Sequence, residues 1–225
     1  ARSIPGVTAV FHLHQLDFCC GGKKTLRDAA APLGLDLDAL SRALVALQDH
    51  PAAGERDWRS ATADELIDHL LARYHERHRQ QVPELIRLAR RVETVHAERP
   101  QCPHGLADHL ETMLQELESH MQKEEQVLFP MIRAGLLPAP PIGMMRSEHD
   151  QHGMALARMV DLAHGLVQPS GACNTWRALL GGLQTLRVDL MQHIHLENNV
   201  LFEGLNRPPE TGCGATGGCG CASAA

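Results

Sequence analysis

Residues 120–130 read HMQKEEQVLFP and residues 193–203 read HIHLENNVLFE, so the pattern H-x-x-x-E-x-x-V-L-F occurs twice, 73 positions apart. On an α-helix, residues four apart share a face, so His120 with Glu124, and His193 with Glu197, each present an imidazole and a carboxylate to one point. Val127, Leu128 and Phe129 follow the first pair, and Val200, Leu201 and Phe202 the second. These apolar residues set each pair against a helix-bundle interior, where charge is costly unless it is paired or bound to metal. Two such helices face to face supply two carboxylates able to bridge two ions, as di-iron and di-manganese bundles do. One H-x-x-x-E on an amphipathic helix is more often a solvated pair; two copies with the same apolar continuation point to a metal site.

The rest of the composition agrees with helices. Hydrophobic residues make up 44% of the 225 residues, enough for a core, while aromatics are 3%. Leu, Ala, Val and Met carry the apolar content, which suits an all-α fold better than aromatic-rich strands. With 27 acidic and 21 basic side chains the net charge is −6, and no basic run is long enough to track phosphates, which argues against nucleic acid. No run approaches the length of apolar chain that spans a bilayer, and the first residues lack signal-peptide character, which argues against a membrane. Seven cysteines, two adjacent and three crowded into the last thirteen residues, do not read as a disulfide framework. A reducing cytoplasm is the expected compartment.

Along the chain, 1–50 reads as a small helical unit: Val7 to Phe18, a turn at Cys19-Cys20-Gly21-Gly22, then Thr25 capping a helix and Leu37, Leu40, Leu44 and Leu47 at helical spacing. Residues 51–59 read as a linker. Residues 60–205 read as a four-helix bundle. Its first helix is capped by Ser60 or Thr62 and is kinked or divided at Pro83. The second runs from Leu106 to about Ala134, the third from near Ser147, after a Pro-rich break over 135–143, to about Val167, and the fourth from Thr175 to about Leu205. Residues 206–225, rich in Gly and Cys, read as a disordered tail.

Histidine, present in fifteen copies, is the commonest metal ligand. The first bundle helix offers His75 and His78, and the third offers Glu148, His149 and His152. Two ions, four histidines and two bridging glutamates leave positions for an oxo or hydroxo bridge and a small ligand. Imidazole and carboxylate without thiolate suit iron or manganese. His78 and His152 each lie about one turn from a neighbouring candidate, so ligation and a supporting role stay open for both. His96 is 21 residues from His75, roughly 31 Å along a straight helix. It can reach the same centre only if the break at Pro83 folds the chain back. His12, His14, His50, His69, His104, His109 and His164 read as surface or loop residues, and His195 points off the face of His193.

Asp17-Phe18-Cys19-Cys20-Gly21-Gly22-Lys23, Asp57-Trp58-Arg59-Ser60, Arg73-Tyr74-His75, residues 120–130, Ser147-Glu148-His149-Asp150 and residues 196–202 together resemble the iron-sulfur cluster repair di-iron proteins, also called repair of iron centres. The likeness covers nearly the whole chain. It implies a hemerythrin-like bundle holding a non-haem di-iron centre behind an N-terminal Cys-Cys domain. It places the metal ligands on His75, His120, Glu124, His149, His193 and Glu197, with a further histidine credited to the family at His96. It implies two iron ions as cofactors, nitric oxide and damaged or apo iron-sulfur proteins as partners, and a cytoplasmic role under nitrosative and oxidative stress.

The expected function is repair of iron-sulfur clusters by iron donation, by nitric oxide binding, or by its reduction in a nitric oxide reductase type of activity. The alternative is a non-catalytic nitric oxide or dioxygen sensor or carrier of hemerythrin type. Cys19 and Cys20 read either as buried packing or as thiols activated by a helix start and Lys23 for redox or transfer chemistry, with a homodimer contact as a third reading. The Gly21-Gly22-Lys23-Lys24-Thr25 run lacks the first glycine and the preceding strand of a phosphate loop.

Overall fold

The computed structural model describes residues 7–14, 16, 24–49 and 56–205. Among them every regular element is helical. The expected disordered tail, 206–225, and the Cys19-Cys20 turn lie outside these residues.

Three short helices come first: α1 (Val7–Leu13), α2 (Leu26–Ala30) and α3 (Leu37–Asp49). Thr25 starts α2 by accepting a hydrogen bond from the Asp28 amide at 3.1 Å, satisfying one of the donors that a helix start leaves open. Val7, Phe11, Leu16, Ala30 and Leu40 belong to the same buried cluster as the bundle core.

The bundle begins at α4 (Ala63–Leu70), where Thr62 and Glu65 form a reciprocal capping box. A π turn, Leu71–His75, joins α4 to α5 (Glu76–Val95). Pro83 lies inside α5, which runs on to Val95 and is not divided there. The second bundle element is α6 (Leu106–Lys123), a π turn at Glu124–Leu128, and α7 (Phe129–Arg133). The third, α8 (Ala139–Leu162), begins eight residues before the expected Ser147. Pro140 and Pro141 occupy its first turn, where a missing N–H costs no intrahelical bond. Prolines that read as a break therefore start the helix. The fourth is α9 (Asn174–Leu196), a third π turn at Glu197–Leu201, and α10 (Phe202–Gly204).

Helix α5 packs on α6 and α9, and α8 packs on the same two, closing a four-membered ring. The close approach of α5 and α9 depends on Gly182: a Cβ there would come within 2.5 Å of the Leu85 side chain. One cluster, including Leu110, Met121, Trp176, Leu183 and Leu190, fills most of the bundle. A second, including Leu66, Leu70, Leu128, Phe129, Leu201 and Phe202, closes its other end. No helix among the described residues is long and apolar enough to cross a membrane.

Candidate metal centre

Between these two apolar clusters lies a layer of buried histidines and glutamates. His75, His120, Glu124, His149, His193 and Glu197 are each 1% exposed or less. Their donor atoms fall into two groups, His75-Glu124-His193-Glu197 and His120-Glu124-His149-Glu197, with all atoms of a group within 4.8 Å of one another. Glu124 and Glu197 belong to both groups.

The π turns place these glutamates. Glu124 and Glu197 each open a π turn, His75 closes one, and the α-helix resumes at Phe129 and at Phe202. The doubled sequence motif is thus also a doubled backbone motif. A π bulge inserts one residue into the α-helical phase, a feature common at functional sites. Leu128, Phe129, Leu201 and Phe202 point inward behind the glutamates, as expected. Val127 does not: it is 50% exposed, because three consecutive residues of a helical turn cannot all share one face.

The supporting contacts orient the rings. His75 Nδ1 lies 2.7 Å from Glu125, His120 Nδ1 2.8 Å from Glu148, and His149 Nδ1 3.0 Å from Asn198 Oδ1. A carboxylate or amide oxygen only accepts, so each Nδ1 carries the proton and each Nε2 presents a lone pair. His120 Nε2 and His149 Nε2 then sit 3.0 Å apart. His75 Nε2 and both oxygens of Glu124 are buried without a hydrogen-bond donor. Acceptors converging in a dry interior repel one another unless a cation stands between them. The donor set therefore fits a bound metal, with the carboxylate-imidazole pairing that fixes ligand tautomers at metal centres.

Titration behaviour follows from burial. Desolvation, then the neighbouring His193, lowers the pKa of His75 to about 4. Desolvation and His149 lower His120 to about 2. Both rings are neutral and ready to ligate at neutral pH. Burial and the facing Glu197 push Glu124 well above the carboxylate range. Burial also opposes charge on Glu197, but His193 and His149 outweigh it and hold that group low. Without metal, the pair keeps a proton that a cation would displace.

The other candidates separate clearly. His78 and His152 are buried beside the centre, with rings 5.4 Å from His193 and 4.9 Å from His120. Neither belongs to a four-donor group. Glu148 holds His120 and also pairs with Lys123 at 2.6 Å. His96 ends α5 beside Cys173, with Nε2 3.2 Å from the sulfur, and its ring faces Trp176 at 4.9 Å. Because α5 is undivided, the chain does not fold back to bring His96 to the centre. His69, read as surface or loop, is half-buried on α4 and stacks on Trp58. Glu125 and Asn198 were not singled out from the sequence. Their one signal is position: each follows a motif glutamate directly.

Comparison with known proteins gives the domains and the family. Residues 66–205 match the Hemerythrin HHE cation binding domain, and residues 1–48 match a Domain of Unknown function (DUF542). The chain is 52% identical, over 90% of its length and 92% of theirs, to the iron-sulfur cluster repair proteins YtfE of Yersinia pseudotuberculosis serotype IB (strain PB1/+) and Yersinia pestis (strain Pestoides F). The chain belongs to the iron-sulfur cluster repair family. Within that family's hemerythrin-type domain, residues 66–205 hold every member of both four-donor groups. Its bundle thus carries a layer of His and Glu donors, assembled from all four helices, that could hold a cation.

Proposed function

We propose that this chain repairs iron-sulfur clusters damaged by nitrosative or oxidative stress, using a carboxylate-bridged pair of iron ions. One observation carries the reading: Glu124 and Glu197 are shared between two groups that each add two imidazoles. His75 and His193 would hold one ion, His120 and His149 the other, with both glutamates bridging. Two imidazoles with carboxylate is the donor chemistry of non-haem iron sites that keep positions open, and iron so held supplies affinity for nitric oxide and a store of transferable metal.

The chain's own residues then do three things. Glu125, Glu148 and Asn198 lock three rings so that each Nε2 faces inward. Glu124 gives up its proton on loading and neutralises cationic charge that the apolar surroundings could not tolerate. Phe129 and Phe202, 2% and 0% exposed, keep bulk water from the layer. With two imidazoles and two shared carboxylates per ion, the protein leaves coordination unfilled, consistent with uptake of a small ligand or release of an ion.

The test is to incubate the iron-loaded protein with a nitric-oxide-damaged iron-sulfur enzyme and with nitric oxide alone. Recovery of that enzyme's activity with loss of iron from this chain supports donation, and nitrous oxide formation supports reduction. Reversible nitric oxide or dioxygen binding with neither outcome would replace repair by a sensor or carrier of hemerythrin type.

A further inference from the structure

A row of aromatic rings runs from the centre to the surface. The Tyr74 ring lies parallel to His193, 5.3 Å between centroids and 5° between planes. His69 meets the edge of Tyr74 at 5.6 Å and 88°. Trp58 stacks on His69 at 4.0 Å and 26°. Tyr74 is buried, His69 is half-buried, and Trp58 is partly exposed at the start of the bundle. Each separation falls within or just under the usual range for interacting aromatic pairs.

The row is uncommon for this chain, which has one tyrosine and two tryptophans. The tyrosine and one of those tryptophans lie in it. Local sequence builds it: Asp57 caps the 3-10 turn Trp58–Ser60, α4 carries His69, and the π turn Leu71–His75 sets Tyr74 against His193 while His75 joins the metal-binding layer. Arg56 lies over the Trp58 ring at 4.6 Å and Arg73 over the Tyr74 ring at 4.9 Å. A cation on a ring face disfavours a positive charge on that ring. The rings therefore suit a bridge that passes an electron inward without becoming oxidised themselves.

We propose that Trp58, His69 and Tyr74 form an electron-entry path to the metal centre, with the part of Trp58 left exposed beside His69 and Arg56 as the contact for an external one-electron donor such as a reduced flavin. The donor would give up one electron and an iron ion held by His193 would take it up, so one oxidation balances one reduction while the rings keep their electron count. Successive neighbouring rings, in place of a gap of saturated side chains, favour electron passage along this row. The path rests on the metal reading of His193, but the ring coupling itself is testable without metal.

The first experiment uses pulse radiolysis of metal-free Trp176→Phe protein, in which Trp58 is the remaining tryptophan, with azide radical as the oxidant. Azide radical takes one electron from the indole, which also loses its N–H proton. Tyr74 then supplies an electron to the indolyl radical, the phenol proton passes to solvent and the indole nitrogen regains one. The path predicts decay of the indolyl signal with matching growth of the tyrosyl signal, first order and independent of protein concentration. His69→Leu should slow that growth by an order of magnitude or more at an unchanged circular dichroism spectrum. Growth that depends on protein concentration, or an equal rate in folded His69→Leu, would overturn the path.

A second experiment follows reduction of the ferric protein by photoreduced flavin. The rate should fall by an order of magnitude in Trp58→Leu and stay unchanged in Trp176→Phe, since Trp176 packs against His96 away from the row. Equal rates in both variants would reject Trp58 as the entry point. Failure of the chain to load iron, with intact ring coupling in the metal-free protein, would instead count against the metal reading.

Discussion

At the level of single residues, the sequence shows the glutamates and histidines but not what holds them. His120, Glu124, His193 and Glu197 are legible because their spacing is helical and repeated. Glu125 and Asn198 are not legible, because a polar residue after a motif glutamate reads as a solvated position until the π turn is known. Their contacts give a specific expectation. Glu148→Gln should leave the fold intact and weaken metal binding by about 10–100-fold, the usual cost of losing such a partner to a ligating histidine. The substitution keeps an acceptor oxygen but removes the negative charge that favours His120 Nδ1–H. Competition with a chelator of known affinity measures it; an unchanged affinity would mean Glu148 serves only Lys123.

At the level of elements, the caps and apolar spacing locate the four helices, and the capping residue Thr62 does so in a form that can be tested. Its hydroxyl accepts from the Glu65 amide at 3.2 Å, while the Glu65 carboxylate accepts from the Thr62 amide at 2.9 Å. Thr62→Ala should cost about 1 kcal/mol of unfolding free energy. Iron content per folded chain should not change, because the cap lies outside the centre; chemical denaturation beside metal analysis reads both. Two element-level expectations failed for identifiable reasons. Pro83, expected to kink or divide the first bundle helix, does not divide it: α5 passes through, since its packing on α6 and α9 sustains a helix that local propensity disfavours. The prolines at 138–141 were read as a loop, yet two of them fill a helix's first turn. The π turns left no periodic trace, because one inserted residue per helix is smaller than the scatter of an apolar stripe.

At the level of the whole molecule, buried histidines inside an apolar bundle make the metal-free protein sensitive to acid. His75, His120 and His152 have folded pKa values lowered to about 4, 2 and 3, all mainly by burial. In the unfolded chain they titrate near 6.5. The unfolded state therefore binds more protons below that pH, and stability present above about 6.5 is lost as pH falls toward the folded values, at about 1.4 kcal/mol per pH unit for each proton taken up. Denaturation of metal-free protein between pH 7 and 5 should show this decline. Glu124, whose folded pKa is raised, acts oppositely: its contribution is held at low pH and lost as pH rises through its folded value. A flat profile from pH 7 to 5 would mean that the histidine layer is not buried in solution.

The fold class was readable because one period, repeated in four segments, leaves few ways to bury the apolar faces. The pairing of the two four-donor groups needed coordinates, since only the ring of α5, α6, α8 and α9 shows which histidine meets which shared glutamate. That sharing is what the account stands on. The most direct test is iron per chain after anaerobic loading, measured for the parent and for Glu124→Ala/Glu197→Ala, with circular dichroism to confirm that both are folded. Bridging by both glutamates predicts about two irons in the parent, as in carboxylate-bridged di-iron bundles, and loss of both in the folded double variant. Equal iron in the two proteins would contradict it, because the glutamates would then not bridge the site.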